Sequence, residues 1–351
     1  MKRRLAFAAA VVMLAACGCS AFGDDSSFDE NKRKTYYPED PQSSAVQTDE
    51  SIGGADSYGD SSSAEQEPEE GAEIFDTAPI ANAYISGSSD GLDDFQKQIL
   101  EKASEVVSEC VSDDMTPYEK ELALHDRLIR SCTYDKGALR AIEAPGEHAS
   151  DPYGALIDGQ AICMGYTTTF KLLMDMVQIP CGIIHSTDNE GDEHAWNIVK
   201  LDGCWYYVDT TWDDPVPDRE DGYVKHQFFN ITKDEIAIEH MLTDDAPETE
   251  SSEYLFAEHE MYTVTDVSQI SEGIKAAAER GHSDLAVYFD SDVELKESSI
   301  FSSGDDYYTF TDAGLLKSVK DACKDAGFQY LMSTLRNTSK GKVLLITFEP
   351  K

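Results

Sequence analysis

The stretch HAWNIVKLDGCWYYVDTTW, residues 194–212, has the pattern of a β-hairpin. Its Asp202-Gly203 pair is a strong signal for a two-residue turn between two apolar and aromatic runs. With that pair as the turn, Trp196 faces Asp209 on the opposite strand, and His194 projects from the same face as Trp196 because side chains alternate along a strand. The hairpin therefore predicts that His194 and Asp209 are diagonal neighbours, about 7–8 Å apart by backbone and within side-chain reach.

An imidazole beside a carboxylate is the arrangement that activates a nucleophile. The carboxylate fixes the tautomer of the ring and stabilises the imidazolium. The prediction depends on the register, because a slip of one residue would place His194 and Asp209 on opposite faces of the hairpin. His148 and His185 have no such companion in the sequence, and we interpret them as solvent-facing or structural.

The stretch GQAICMGYTTTF, residues 159–170, places Cys163 at the beginning of a helix. The apolar positions that follow recur at helical spacing: Tyr166, Phe170, Leu173 and Val177. A helix N-terminus favours a thiolate, and its free N–H groups can hold an oxyanion. Gly159 and Gly165 leave the backbone room near the thiol. The position suits a nucleophile, but a core residue, half of a disulfide and a metal ligand remain alternatives for Cys163.

These two stretches together resemble the core of the transglutaminase-like superfamily. Its bacterial members have a cysteine before Gly-Tyr, a His-Ala-Trp-Asn strand, and a second strand that ends in Val-Asp-x-Thr-Trp-Asp-Asp-Pro. The segments at 119–135 and 226–240 also resemble that family, so the likeness covers about residues 92–245. It implies an α+β fold in which a papain-like core packs N-terminal helices on an antiparallel sheet.

The resemblance implies a Cys-His-Asp triad, with Cys163 as nucleophile, His194 as base and Asp209 as its orienting partner. Gln160 is a weaker candidate for the oxyanion site, because its spacing before the cysteine differs from that of papain-like peptidases. The implied activity is acyl transfer through a thioester on a peptide or glutamine carboxamide of a protein or peptide substrate. We favour hydrolysis. The alternatives are a protein-crosslinking transglutaminase and a non-enzymatic surface protein that uses the fold as a binding scaffold.

Other residues near these motifs admit structural interpretations. Trp196 and Trp212 could shield the histidine–carboxylate bond or fill the core, and we favour the core. Asp213-Asp214-Pro215 is more consistent with a strand end or a turn than with catalysis. Animal transglutaminases use calcium, but the acidic loop 187–193 has no EF-hand pattern, and we interpret it as solvated.

The remaining thiols indicate no metal site. They have neither a CxxC motif nor zinc-ligand spacing, and several have the apolar neighbours of small core residues: Cys110, Cys132, Cys181, Cys204 and Cys323. Five cysteines cannot all pair within one chain. The sequence therefore predicts no metal and no cofactor.

The first residues, MKRRLAFAAAVVMLAACGCS, have the pattern of an export signal. The basic start precedes an apolar run, Leu5 to Ala16, that is too short to span a bilayer of about 30 Å. The small residues before Cys17 resemble a bacterial lipobox, and Cys19 fits that pattern less well. We expect a signal peptide over 1–16, lipidation of Cys17 and attachment to the outer face of the cell membrane. The alternative is an ordinary secreted protein cleaved near Ala16.

Composition separates the rest of the chain into three parts. Residues 20–90 carry 17 acidic and three basic side chains and no sustained apolar period, so we predict a disordered tether over 17–91. We then expect a catalytic domain over 92–248 and a small α/β domain of unknown role over 254–351. The net charge of −40 argues against nucleic acid as a partner.

Overall fold

A computed structural model of the chain describes residues 34–36, 74–135, 137, 145–214, 222–290, 295 and 313–351. The protein has an α+β fold built around two mainly antiparallel sheets. Residues 1–16 and Cys17 lie outside the described residues, so the predicted signal peptide and lipidation site stay predictions. Among the residues that are described, no helix is both long and apolar enough to cross a membrane.

The helices α1 (Ala78–Ser86), α2 (Asp94–Cys110) and α3 (Pro117–Ser131) come before the hairpin strands of the first sheet. Helix α3 begins with Thr116 as N-cap and Pro117 in the first turn. The Thr116 hydroxyl accepts from the backbone N–H of Glu119, and the Glu119 carboxylate accepts from the N–H of Thr116. This reciprocal capping satisfies two N–H groups that the first turn leaves unpaired.

The disordered tether predicted over 17–91 is wrong for its last part. Helix α1 lies inside that range, and Ile80 and Ala81 pack in the main core. The backbone of β1 (Lys34–Tyr36) also pairs antiparallel with residues 183–185. These apolar positions are few, and the acidic residues on both sides dominate the average composition. A short amphipathic segment that is stabilised only by tertiary contacts is hidden in such an average.

The first sheet carries the predicted hairpin. Its central strands are β4 (Cys181–Asp188), β5 (Glu193–Leu201) and β6 (Cys204–Val208), and the far edge of β4 pairs with β1 and with β7 (His240–Met241). The predicted register is confirmed, because β5 and β6 pair from Leu201↔Cys204 to Asn197↔Val208. Asp202 and Gly203 both have positive φ, at 46° and 86°, as a type I′ turn requires.

Helix α4 (Cys163–Met176) packs against this sheet. Tyr166, Phe170 and Leu173 are fully buried, as their spacing predicts, and Val177 is the half-buried C-cap. Immediately before the helix, the parallel pair β2 (Thr133–Tyr134) and β3 (Gln160–Ala161) joins the end of α3 to the start of α4. The nucleophile candidate is thereby held between the helical layer and the sheet.

Short helices connect the first sheet to the C-terminal part: α5 (Thr210–Asp213), α6 (Lys233–Ile236) and α7 (Phe256–His259). The C-terminal elements are β8 (Tyr262–Val264), α8 (Ile270–Glu279), β9 (Asp284–Phe289), α9 (Ala313–Ala326), β10 (Phe328–Thr338) and β11 (Gly341–Pro350). The four strands form a sheet in the order β10-β11-β9-β8.

The C-terminal sheet packs on two sides. One face, with Leu344, Ile346 and Phe348, covers α8 and α9. Ala286, Val343 and Leu345 instead belong to the cluster that contains the core of the first sheet and of α4. The apolar core is therefore continuous from α4 into the C-terminal sheet, while the predicted boundary near residue 254 stays a prediction.

Candidate active site

His194 and Asp209 form a buried hydrogen-bonded pair. His194 is the second residue of β5, and its Nε2 lies 2.7 Å from the Asp209 Oδ2. Both side chains are almost completely inaccessible to solvent. Burial alone would raise the pKa of Asp209, but the attraction and hydrogen bonds of His194 and His240 hold it well below its ordinary value. Asp209 is therefore ionised, and His194 contacts it through Nε2.

The backbone around Asp209 fixes its carboxylate. Asp209 follows β6 as the N-cap of α5, and its Oδ1 accepts from the N–H groups of Thr211 and Trp212 at 3.0 and 3.1 Å. Its own N–H donates to the carbonyl oxygen of Phe228. The pairing of β5 with β6 ends one residue earlier, so the predicted Trp196–Asp209 pair is replaced by a helix cap that aims the carboxylate at His194.

His240 is the residue that the sequence argument missed. It lies on β7, and its Nε2 is 2.9 Å from the same Asp209 Oδ2 that binds His194. Burial lowers the pKa of His240 below its ordinary value, against the opposing pull of Asp209. His240 is 31 residues from Asp209 in the sequence, so no local sequence pattern links the two. The only sequence signal was its place in the segment 226–240 that resembles the family.

Aromatic rings enclose the pair. The Trp196 ring stacks on His194 at 5.8 Å between centroids, and the Trp212 ring lies 5.5 Å from His194 and 4.4 Å from His240. Trp196 is fully buried in a cluster of its own with Tyr207 and Phe228, against which Trp212 packs. Both tryptophans therefore fill the core and exclude water from the histidine–carboxylate contacts, so the two interpretations from the sequence are compatible.

Cys163 is the buried first residue of α4, with Ile162 as N-cap. One turn later, the Thr167 hydroxyl donates to the carbonyl oxygen of Ala195, the residue after His194, at 2.9 Å. Residues four apart lie on the same helix face, so Cys163 lies one turn before Thr167 on the side of α4 that Thr167 turns toward β5. The Asn197 side-chain amide donates to the Thr167 carbonyl oxygen at 3.1 Å. These two hydrogen bonds hold the cysteine-bearing helix against the histidine-bearing strand.

The beginning of α4 also contacts the loop that contains Ala149. The Ala149 carbonyl oxygen accepts from the Ile162 N–H at 2.9 Å. A Cβ on Gly165 would overlap this oxygen, so only glycine permits the contact. Gly159 has a φ of 70°, a left-handed backbone conformation that glycine adopts without steric cost. Both glycines that the sequence analysis placed near the thiol thus have a specific role in the backbone there.

The remaining candidates lie in different surroundings. Gln160 is exposed on β3, and its oxyanion role stays a prediction. The expectation that His148 lacks a carboxylate companion is wrong, because its Nδ1 lies 3.1 Å from the Asp151 Oδ2, three residues later in the same turn. His185 is half-buried on β4, opposite Ala195.

The Asp213-Asp214 pair links elements of the core. Asp213 accepts from the Phe228 N–H at 3.0 Å, and its Oδ2 lies 3.3 Å from Nε2 of His125 on α3. Asp214 accepts from the hydroxyl of Tyr166 on α4. Their positions extend the structural role favoured from the sequence, because they connect α5 to two helices.

Burial disfavours the thiolate form of several other cysteines. No disulfide joins any of the six cysteines in the described part of the chain. Burial raises the pKa of Cys181 far above its ordinary value and that of Cys323 to about 11, so both stay protonated at neutral pH. Cys110 is half-buried, and burial raises its pKa as well.

Three clusters in the described residues bring potential metal-ligand atoms within 4.8 Å of one another: His194, Asp209 and His240; His125, Asp126 and His226; and His226, His282 and Asp284. Ligands around tetrahedral zinc are separated by roughly 3.3 Å, given zinc–nitrogen distances of about 2.0–2.1 Å. The ring nitrogens of His194 and His226 lie 2.7–2.9 Å from their carboxylate oxygens, which is hydrogen-bond length. We therefore describe these clusters as hydrogen-bond networks.

Part of this chain is similar to known proteins. Residues 104–210 match the model of the transglutaminase-like superfamily. Over 170 residues the chain is 25% identical to the human protein named Kyphoscoliosis peptidase and 24% identical to its mouse counterpart. Each match covers 44% of this chain, which spans only 25% of the length of these relatives. A crystal structure titled as a TGase is 20% identical and covers 37% of this chain and 36% of its own, with a TM-score of 0.28.

Proposed function

We propose that this chain, in which residues 104–210 form a transglutaminase-like superfamily domain, is a cysteine-dependent acyl-transfer enzyme that hydrolyses peptide or glutamine carboxamide bonds. The superfamily includes cysteine peptidases and transglutaminases. The observation that carries the proposal is the buried 2.7 Å contact between His194 and Asp209 on the strand to which the helix of Cys163 is hydrogen-bonded. The peptidase name of the two curated relatives favours hydrolysis over crosslinking.

In the first step, His194 Nδ1 takes the proton of the Cys163 thiol, and the thiolate sulfur attacks the carbonyl carbon of the substrate. The carbon–oxygen double bond opens to an oxyanion, which backbone N–H groups at the beginning of α4 bind. Asp209 holds the imidazolium that forms. Collapse of the intermediate breaks the carbon–nitrogen bond, and the proton on His194 leaves with the amine. This step yields a thioester on Cys163.

In the second step, His194 accepts a proton from water, and the hydroxide attacks the thioester. The carbon–sulfur bond breaks, the acid product leaves and the thiol is restored. If a primary amine attacks in place of water, the product is a new amide. The acceptor alone distinguishes the peptidase from the crosslinking transglutaminase.

The experiment is an incubation of the purified protein with a peptide library, with and without a primary amine, followed by mass spectrometry. We expect cleavage or deamidation, and a covalent acyl adduct on Cys163 after rapid acid quenching. Cys163→Ala should abolish all products. The matched control is Cys110→Ser, which removes a half-buried thiol distant in sequence from the motif and should leave turnover unchanged.

An electrophilic thiol probe gives an independent test. We expect labelling of Cys163 near neutral pH that collapses in His194→Ala. If labelling does not depend on His194, the chain is a binding scaffold rather than an enzyme. Amine incorporation in place of cleavage would instead identify a transglutaminase.

We also propose that a lipid on Cys17 attaches the chain to the outer face of the cell membrane. The support is the pattern of the first residues, in which a basic start and a short apolar run precede Leu-Ala-Ala-Cys. The test is fractionation of cells that express the full chain or Cys17→Ala. Release of the variant from the membrane fraction supports the anchor, and membrane retention contradicts it.

A further inference from the structure

Two imidazoles share one carboxylate oxygen in this site. His194 Nε2 and His240 Nε2 lie 2.7 and 2.9 Å from the Asp209 Oδ2, and the two rings are 5.3 Å apart between centroids. Because Asp209 is ionised, both nitrogens carry hydrogen and donate to it. A Cys-His-Asp triad needs only one of these donors.

The surroundings of His240 make it a donor that does not exchange its proton. The groups that can carry charge and face it are Asp209, His194 and, from β4, Asp188. Its aromatic neighbours besides His194 are the uncharged rings of Trp196, Trp212 and Phe228. Its Nδ1 is buried without a hydrogen-bond partner. An imidazolium would leave a second N–H unsatisfied at that atom, so the neutral ring with hydrogen on Nε2 is the favoured form.

We propose that His240 is a positioning residue for the proposed reaction: its neutral ring holds Asp209 in place and limits how strongly that carboxylate attracts the proton of His194. The effect on catalysis rests on the proposed function. The titration that tests the inference does not. A hydrogen bond to a carboxylate stabilises its charge, and a carboxylate that already accepts a second strong donor attracts a neighbouring imidazolium less. His194 then releases its proton to the departing amine more readily.

The test compares three substitutions of His240 in the full chain. His240→Phe keeps an aromatic ring in the pocket and removes the donor. His240→Gln places an amide N–H close to the position of Nε2, whereas His240→Asn places it near that of Nδ1. The readout is the titration of the His194 ring, followed by histidine-selective NMR, which requires no turnover. Thermal unfolding of each variant reports whether packing has changed.

We expect the His194 titration midpoint to move to higher pH by about half a unit or more in His240→Phe and His240→Asn, and to return toward the wild-type value in His240→Gln. If activity is found, kcat should fall in His240→Phe and His240→Asn while KM stays within about twofold, because no substrate contact is removed. An unchanged midpoint in His240→Phe, or the same midpoint in the Gln and Asn variants, overturns the inference. If His240→Phe does not fold, the comparison of Gln with Asn decides alone. Because the midpoint is measured on the resting protein, the proposed function can fail without affecting this result.

Discussion

At the scale of single residues, Asp209 organises the site. It accepts hydrogen bonds from the backbone of Thr211 and Trp212 through Oδ1 and from His194 and His240 through Oδ2. A buried carboxylate is costly unless its lone pairs are satisfied, and here both oxygens have two donors. The same contacts that offset the cost of burial also orient His194.

Asp209→Asn is expected to lower turnover by on the order of 10⁴-fold, because the neutral amide neither stabilises the His194 imidazolium nor enforces its tautomer. The measurement is the initial rate of peptide cleavage, together with labelling of Cys163 near neutral pH. The control is Asp175→Asn, which removes a carboxylate paired with Lys171 at the other end of α4. Equal losses in the two variants would contradict a specific role for Asp209.

The dependence of stability on acidic pH provides a second test of the role of Asp209. The pKa of Asp209 is depressed in the folded chain, so its contribution to stability is present above the ordinary carboxyl pKa and is lost as the pH falls through the folded value. Asp209→Asn removes this contribution. We therefore expect the difference in the free energy of unfolding between wild type and variant to shrink as the pH is lowered below about 4.

At the scale of elements, the essential contact is between α4 and β5. Neither element brings a thiol and an imidazole together by itself, since 31 residues separate Cys163 from His194. The Thr167 hydroxyl and the Asn197 amide join the two backbones, and each bonds a carbonyl oxygen of the opposite element. The alignment of the helix with the strand is therefore set by polar side chains as well as by apolar packing.

Thr167→Val removes the hydroxyl and keeps the shape of the side chain. It leaves the Ala195 carbonyl oxygen without this donor, and we expect a loss of about 1–3 kcal/mol in stability and slower labelling of Cys163. Thr169→Val is the matched control, because the Thr169 hydroxyl bonds only the carbonyl of Gly165 within the same helix. Chemical unfolding and probe labelling measure the two effects. Equal labelling rates in both variants would show that the contact with Ala195 does not position the thiol.

Gly165→Ala tests the close approach of α4 to the Ala149 loop. The added methyl group would overlap the Ala149 carbonyl oxygen, and we expect a loss of about 1–3 kcal/mol or more. Gly146→Ala, in the same loop, meets its nearest atom at 4.0 Å and should change stability by less than about 0.5 kcal/mol. Thermal unfolding distinguishes the two, and a neutral Gly165→Ala would show that the loop can move aside.

At the scale of the whole molecule, a buried ionic contact joins helix α3 to the C-terminal sheet. His226 lies between Asp126 of α3 and Asp284 of β9, with each ring nitrogen 2.9 Å from a carboxylate oxygen. Burial alone would lower the pKa of His226, but the two carboxylates raise it to about 10. The ring is therefore an imidazolium at neutral pH, and it connects the helical layer of the first part to the C-terminal sheet.

The sign of the pH dependence follows from this raised pKa. The contribution of His226 to stability is fully present below its unfolded pKa of about 6.5 and is lost as the pH rises toward about 10. His226→Gln should lower the free energy of unfolding by about 3–5 kcal/mol at pH 6. This deficit should shrink as the pH approaches 10. Urea unfolding across this range measures it.

His148→Gln is the control for that prediction. His148 is partly exposed and pairs with Asp151 near the surface, where an ion pair contributes less than about 1 kcal/mol. The loss in the free energy of unfolding in His148→Gln should therefore be small at every pH. A deficit of His226→Gln that stays constant from pH 6 to 10 would show that His226 contributes by packing and not by charge.

Local patterns carried much of the fold and part of the site. The turn at Asp202-Gly203 and the register of the hairpin depend on residues near in sequence, and both were predicted. The pairing of His194 with Asp209 followed from the register alone. In contrast, helix α1 was missed because its stability comes from contacts with distant residues.

The sequence by itself determined the hairpin, the helix that begins at Cys163 and the placement of an imidazole and a carboxylate on one side of a strand pair, since periodicity and turn chemistry are local properties. Only the tertiary structure decided that α4 lies against β5, that His240 shares the oxygen of Asp209, and that His226 joins α3 to the C-terminal sheet. These contacts link residues 28 to 100 positions apart. Their formation depends on how buried faces pack and on which buried polar groups find partners, and no repeat in the sequence records either.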